Sequence, residues 1–105
     1  MAKKIKKEDQ YYIVRSYAAG VFMAKIKSRK VEGGIVNMTI LDARRIWRWA
    51  GAATLSQLSQ EGTKDPNNCK FPQAVPELDV NNVVETIPMT EAGKRSIDAV
   101  PVWTL

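Results

Sequence analysis

The sequence contains no histidine and only one cysteine, Cys69. Without imidazole the chain lacks the side chain that most often serves as general base near neutral pH and as metal ligand. Serine–histidine and cysteine–histidine nucleophile pairs are excluded within one chain. A lone cysteine permits neither an internal disulfide nor a thiolate metal cluster. No Gly-Lys-Ser or Gly-Lys-Thr occurs, and Gly33-Gly34 is not followed by a helix start, so no phosphate-cradling loop is indicated. Glu77, Asp79 and Glu85 fall close together, but solvated edge residues account for them as well as a catalytic carboxylate pair does. The chain therefore reads as non-enzymatic, with no cofactor and no metal.

Long apolar runs are also missing. No stretch approaches the ~18 consecutive apolar residues of a transmembrane helix. The basic start, Met1-Ala2-Lys3-Lys4-Ile5-Lys6-Lys7, is not followed by the uninterrupted apolar segment of a signal peptide. A cytoplasmic location is the expectation. With 105 residues, 45% of them apolar and 26% charged, the composition is that of one ordinary globular domain with a single core.

Charge is unevenly spread over the chain. Residues 1 to 30 carry nine Lys and Arg against Glu8 and Asp9, whereas residues 61 to 105 are net acidic. Such polarity suits anionic partners, or head-to-tail contact between copies in a homo-oligomer. Residues 1–10 read as a basic flexible arm and residues 11–105 as a single α+β domain.

Within that domain, Tyr11 to Tyr17 is rich in aromatic and β-branched residues and reads as a first strand. Ala18-Ala19-Gly20 connects it to a second strand at Val21–Lys27. Ser28 to Gly34 supplies the next turn, and Ile35–Leu41 the third strand. The segment Asp42-Ala43-Arg44-Arg45-Ile46-Trp47-Arg48-Trp49-Ala50 places Ala43, Ile46, Trp47 and Ala50 at helical spacing behind Asp42, a good N-cap. It reads as a helix covering the sheet, with Trp47 inward and the arginines outward, continuing past Gly51 through Leu55 and Leu58.

All five prolines lie between Pro66 and Pro101. Residues before proline are driven toward extended conformations, so Lys70–Pro76 reads as extended. Val80–Ile87, with proline at both ends, reads as an edge strand. Thr90 caps a short C-terminal helix that Pro101 stops, leaving Val102-Trp103 as a small apolar anchor. The architecture expected is a small antiparallel sheet of three to four strands, covered by a central helical segment and the C-terminal helix.

The segment Leu41-Asp42-Ala43-Arg44-Arg45-Ile46-Trp47-Arg48-Trp49-Ala50-Gly51-Ala52, continuing through Thr54-Leu55-Ser56-Gln57-Leu58, resembles a family of small tailed-phage proteins of unknown function. Ala19-Gly20-Val21, Val83-Val84-Glu85-Thr86-Ile87-Pro88 and Ser96-Ile97-Asp98-Ala99-Val100-Pro101-Val102-Trp103 fit it in order. The resemblance implies phage origin and expression inside a bacterium, hence the host cytoplasm. It carries no assigned activity and no catalytic residue. The lysine tail and Asp65-Pro66-Asn67-Asn68 look peculiar to this chain.

Three functions follow as expectations. The first is a small binding protein acting during infection, sequestering an anionic nucleotide-like ligand or inhibiting a host protein. Arg44, Arg45 and Arg48 would fork onto phosphate, and Trp49 would offer an aromatic face. The second is nucleic-acid binding, with Lys3, Lys4, Lys6 and Lys7 on phosphates and Tyr11 and Tyr12 stacking on bases. The third is a minor virion or assembly protein whose basic arm binds a neighbouring subunit.

Overall fold

A computed structural model of the chain describes residues 9–105. Five strands form one antiparallel sheet: β1 (Tyr12–Ser16), β2 (Gly20–Glu32), β3 (Ile35–Arg45), β4 (Val75–Val80) and β5 (Val83–Pro88). Their spatial order is β4-β3-β2-β1-β5. Two helices follow strands in the chain, α1 (Leu55–Glu61) after β3 and α2 (Glu91–Asp98) after β5. The α+β class expected from the sequence is the class observed, with five strands rather than three or four. No helix among the described residues is long and apolar enough to cross a membrane.

The two outermost strands, β4 and β5, are consecutive in sequence and joined only by Asn81-Asn82. That short corner is possible because the sheet coils, bringing β3 and β5 into contact in the way a twisted sheet curls toward a barrel. Hydrogen bonds hold the corner. Tyr17 N–H donates to the Asn82 carbonyl at 3.0 Å and Ser16 Oγ to the Asn81 carbonyl at 2.7 Å. The Asn82 N–H donates to Asn37 Oδ1 at 3.1 Å.

Coiling makes both faces of the central strands interior, which is why Ile13 and Val14 are neighbours in sequence and yet both fully buried. Val14, Phe22, Ala24, Met38, Ile40, Ala43, Val80 and Val83 fill the concave side. Ile13 and Met23 point the other way, under Ile46, Leu58, Phe71, Met89, Ile97 and Val100. The sequence suggested one core. The structure contains two apolar clusters, one on each face of the sheet.

The expected helix at Asp42–Ala50 is not formed. β3 runs on to Arg45, and Ile46–Ala50 continues without helical structure. Asp42 is not an N-cap but a residue with φ of 51°, where the pairing of β3 with β2 skips a position between Lys25–Leu41 and Met23–Arg44. Asp42 side chains tolerate the left-handed region better than most, and the carboxylate is held by the Tyr11 hydroxyl, which donates to it at 2.6 Å. The first true helix of this region starts at Leu55 behind Thr54, whose side chain accepts from the Gln57 N–H. The expected turn at Ser28–Gly34 shrinks to Gly33-Gly34, because Ser28 to Glu32 remain paired with Ile35 to Thr39.

Other expectations hold. Both strands that carry proline, β4 with Pro76 and β5 with Pro88, are edges of the sheet. Thr90 caps α2 by accepting from the Gly93 N–H at 3.0 Å, and Lys94 pairs with Asp98 one turn on. α2 packs on α1 at unusually close range: a Cβ on Gly93 would run into the Ser59 carbonyl oxygen.

Candidate functional site

Past Arg45 the chain stays extended and meets two distant segments. Trp47 and Arg48 N–H groups reach the Lys70 carbonyl at 3.2 and 3.3 Å, and the Lys70 N–H donates to the Arg48 carbonyl at 2.8 Å. On its other side this strip meets the end of the chain. Phe71 bridges in parallel to Val102, and the Trp103 N–H donates to the Phe71 carbonyl at 3.1 Å. Residues 47–48, 70–71 and 102–103 thus lie side by side.

This arrangement stacks two tryptophans. The rings of Trp47 and Trp103 lie 5.5 Å apart, centroid to centroid, with their planes at 12°. Lys70 Nζ stands 5.6 Å from the Trp47 centroid and 5.4 Å from that of Trp103. Trp47 remains 59% exposed, so an indole face is open to solvent. Arg48 beside it is exposed, and neither Arg48 nor Lys70 belongs to an ion pair among the described residues. An exposed indole with the Lys70 ammonium beside it, and Arg48 next in the chain, is chemically suited to a flat ring that carries negative charge.

Arg44 lies beneath this strip. Its Nε donates to the Pro72 carbonyl at 3.2 Å and its Nη1 to Ile97 at 2.8 Å. Its Nη2 donates to Phe71 at 3.1 Å and to Val100 at 2.8 Å. The guanidinium also lies 5.5 Å over the Phe71 ring. Burial pushes its pKa below the ordinary guanidinium value, and the nearby Asp98 carboxylate pulls it back up. Four carbonyls rather than a carboxylate satisfy this charge, as the fork geometry of arginine allows. They come from the two segments that carry Lys70 and Trp103.

The residues expected to bind ligand are therefore dispersed. Arg44 is buried, its donors committed, and is corrected from a ligand contact to a structural clamp. Arg45 donates to the Ala19 carbonyl and lies 4.5 Å over the Phe22 ring, closing the end of the concave cluster. Trp49 is half-buried against the helix-side cluster, whereas Trp47, expected inward, is the exposed one. Of the four, Arg48 alone adjoins the stacked pair in the backbone, next to Trp47 and bridged to Lys70.

The residues expected to touch nucleic acid divide similarly. Lys3, Lys4, Lys6 and Lys7 lie outside the described residues. Tyr11 is bonded to Asp42, with Lys94 Nζ 4.3 Å and Lys25 Nζ 5.5 Å from its ring. Tyr12 packs on the concave cluster. The Tyr11 ring is thus engaged by its neighbours, and Tyr12 is half-buried. Glu77 pairs with Lys27 and Glu85 with Arg15, while Asp79 accepts from the Thr39 hydroxyl. Glu77 and Asp79 lie on β4 and Glu85 on β5, each engaged with its own surface partner.

Sequence reasoning passed over Lys70 and Trp103. Their only local signal was a tryptophan two residues after Pro101 and a lysine at the head of an extended proline-flanked stretch. What joins them to Trp47 is pairing across more than 20 residues.

A coiled five-stranded antiparallel sheet with two packed helices, bearing a stacked tryptophan pair of which Trp47 is exposed, defines a small α+β domain. The chain belongs to a family described as a domain of unknown function, DUF6948, whose model matches residues 9–97. The match includes Trp47, Arg48 and Lys70 and stops short of Trp103. No curated protein and no solved structure matches the chain.

Proposed function

We propose that this chain is a non-enzymatic binding module, encoded by a tailed phage and acting in the cytoplasm of the infected bacterium, that occupies an anionic nucleotide-like ligand on the Trp47–Trp103 platform. The observation that carries the reading is the exposed Trp47 indole stacked on Trp103 with Lys70 Nζ beside both rings; Arg48, exposed and next in the chain, is the second cation of the proposed site. The phage setting rests on the resemblance of the Leu41–Leu58 segment to small tailed-phage proteins.

A base stacked on an aromatic side chain contributes about 1–3 kcal/mol, and a charge-assisted bond to phosphate about 1.5–3 kcal/mol. One base and one phosphate together reach the level of roughly millimolar binding, for which about 4 kcal/mol is needed. A ligand with two phosphates engages Arg48 and Lys70 at once and binds more tightly. A cyclic dinucleotide is the natural probe, because it presents two bases and two phosphates in one compact anion.

The test is a titration of intrinsic tryptophan emission with a cyclic dinucleotide, a mononucleotide and inorganic phosphate. The reading expects saturable quenching, strongest with the dinucleotide, which disappears in Trp47→Ala. Phosphate acting as strongly as the nucleotides would remove the stacking part of the proposal, and a response unchanged in Trp47→Ala would place binding elsewhere.

A further inference from the structure

Beyond Ala24, β2 has no neighbour on its outer side among the described residues. β1 pairs with it only from Gly20 to Ala24, while β2 and β3 stay paired out to Glu32 and Ile35. β4 supports β3 only between Met38 and Ala43. The tip of the β2–β3 hairpin is thus a two-stranded ribbon extending past the rest of the sheet, and its β2 edge from Lys25 to Glu32 presents unpaired backbone N–H and C=O groups.

That edge has a strong chemical character. Lys25, Lys27, Arg29 and Lys30 stand along it against the single acid Glu32. Lys27 and Lys30 have exposed carboxylate partners in Glu77 and Glu32, and Arg29 belongs to no ion pair among the described residues. At the tip, Val31 and Ile35 are 54% and 48% exposed. Basic side chains guard many free edges against unwanted pairing, but the repulsion that excludes a like-charged strand attracts one of opposite charge.

We propose that this edge receives an acidic extended segment of a partner protein as an added strand. Strand addition derives affinity from main-chain hydrogen bonds and specificity from alternate side chains, and here the specificity is for carboxylates, with a small apolar contact at Val31 and Ile35. Charge argues against two other occupants. A second copy paired edge to edge would set these cations against the same set, and the chain's own Lys3, Lys4, Lys6 and Lys7 are of the same sign. A single-stranded nucleic acid is the poorer fit, because residues 25 to 37 contain no aromatic side chain on which a base could stack.

The experiment is fluorescence anisotropy of the full chain with a labelled ten-residue peptide of alternating Glu and Val. It is repeated with the same peptide N-methylated at every second amide and with a labelled oligodeoxynucleotide. The proposal expects the unmethylated peptide to bind, and N-methylation to weaken it at least tenfold. The combined change Lys27→Gln, Arg29→Gln, Lys30→Gln should weaken it at least tenfold too, while the melting temperature moves by no more than a few degrees, since the two ion pairs it removes are exposed. Amides between Lys25 and Glu32 should gain hydrogen-exchange protection in the complex. Equal binding of both peptides would reduce the surface to electrostatic adhesion and overturn strand addition. Binding of the oligonucleotide in place of the peptide would overturn the choice of partner, and binding of neither would show that the lysines only guard the edge.

Discussion

Arg44 Nη1 donates to the Ile97 carbonyl at 2.8 Å, tying the end of β3 to the last turn of α2. The bond places a cation where the helix macrodipole is negative. Three further bonds from the same guanidinium, to Phe71, Pro72 and Val100, draw the flanking segments to it.

Arg44→Met should therefore destabilise the protein by about 3 kcal/mol or more, since it strands buried carbonyls that the guanidinium now satisfies. Arg44→Lys should recover only part of that, because one ammonium cannot reach four acceptors in a planar fork. Urea denaturation of the two variants measures both. An Arg44→Met variant within about 0.5 kcal/mol of the parent would show that the clamp is dispensable.

Gly93→Ala tests the contact between the helices. In an isolated helix this change is favourable by about 1 kcal/mol. Here the new methyl group meets the Ser59 carbonyl oxygen, and forcing α2 away from α1 should cost about 1–3 kcal/mol. A lowered thermal midpoint is expected, opposite in sign to the helix-propensity effect.

Tyr11 gives a pH signature. Burial, reinforced by the hydrogen bond to Asp42, raises its pKa well above the ordinary phenol value. The folded-state pKa lies above the unfolded one of about 10, so the protonated hydroxyl contributes stability that is fully present below pH about 10. That contribution is lost as pH rises from there toward the folded-state pKa. The difference in stability between the parent and Tyr11→Phe should be constant up to pH about 10 and shrink above it. A constant difference through that range would separate Tyr11 from the effect.

The two neighbouring tryptophans should behave oppositely. Trp47 is exposed and touches chiefly Trp103 and Lys70, so Trp47→Ala should cost only about 1 kcal/mol, the scale of an aromatic pair. Trp49, half-buried against the helix-side cluster, should cost more when truncated. Thermal melts of the two alanine variants decide the order.

These side chains show how far the residues alone carried the reading. Strands β1 and β5, the proline-bearing edges and the capped α2 were legible because each rests on local chemistry: β-branched runs, proline geometry and a Thr90 hydroxyl three residues before Gly93. The stretch after Asp42 was misread because Ala43, Ile46, Trp47 and Ala50 recur at helical spacing, while the bulge at Asp42 hides the strand alternation of inward Ala43 and Arg45 with Arg44 and Ile46 on the other face. Pairing with β2 decides the matter, and that is a tertiary effect. Arg44 reads from the sequence as a phosphate contact because nothing near it in sequence satisfies its charge; its acceptors lie 27 to 56 residues away. The stacked pair was hidden for the same reason.

The indole N–H resonances of the three tryptophans offer the most direct test of the platform. In a titration of the isotopically labelled protein with a cyclic dinucleotide, the Trp47 and Trp103 signals should shift together and saturate, while the Trp49 signal stays in place. A shift confined to Trp49, or no shift of any indole at saturating ligand, would contradict the account.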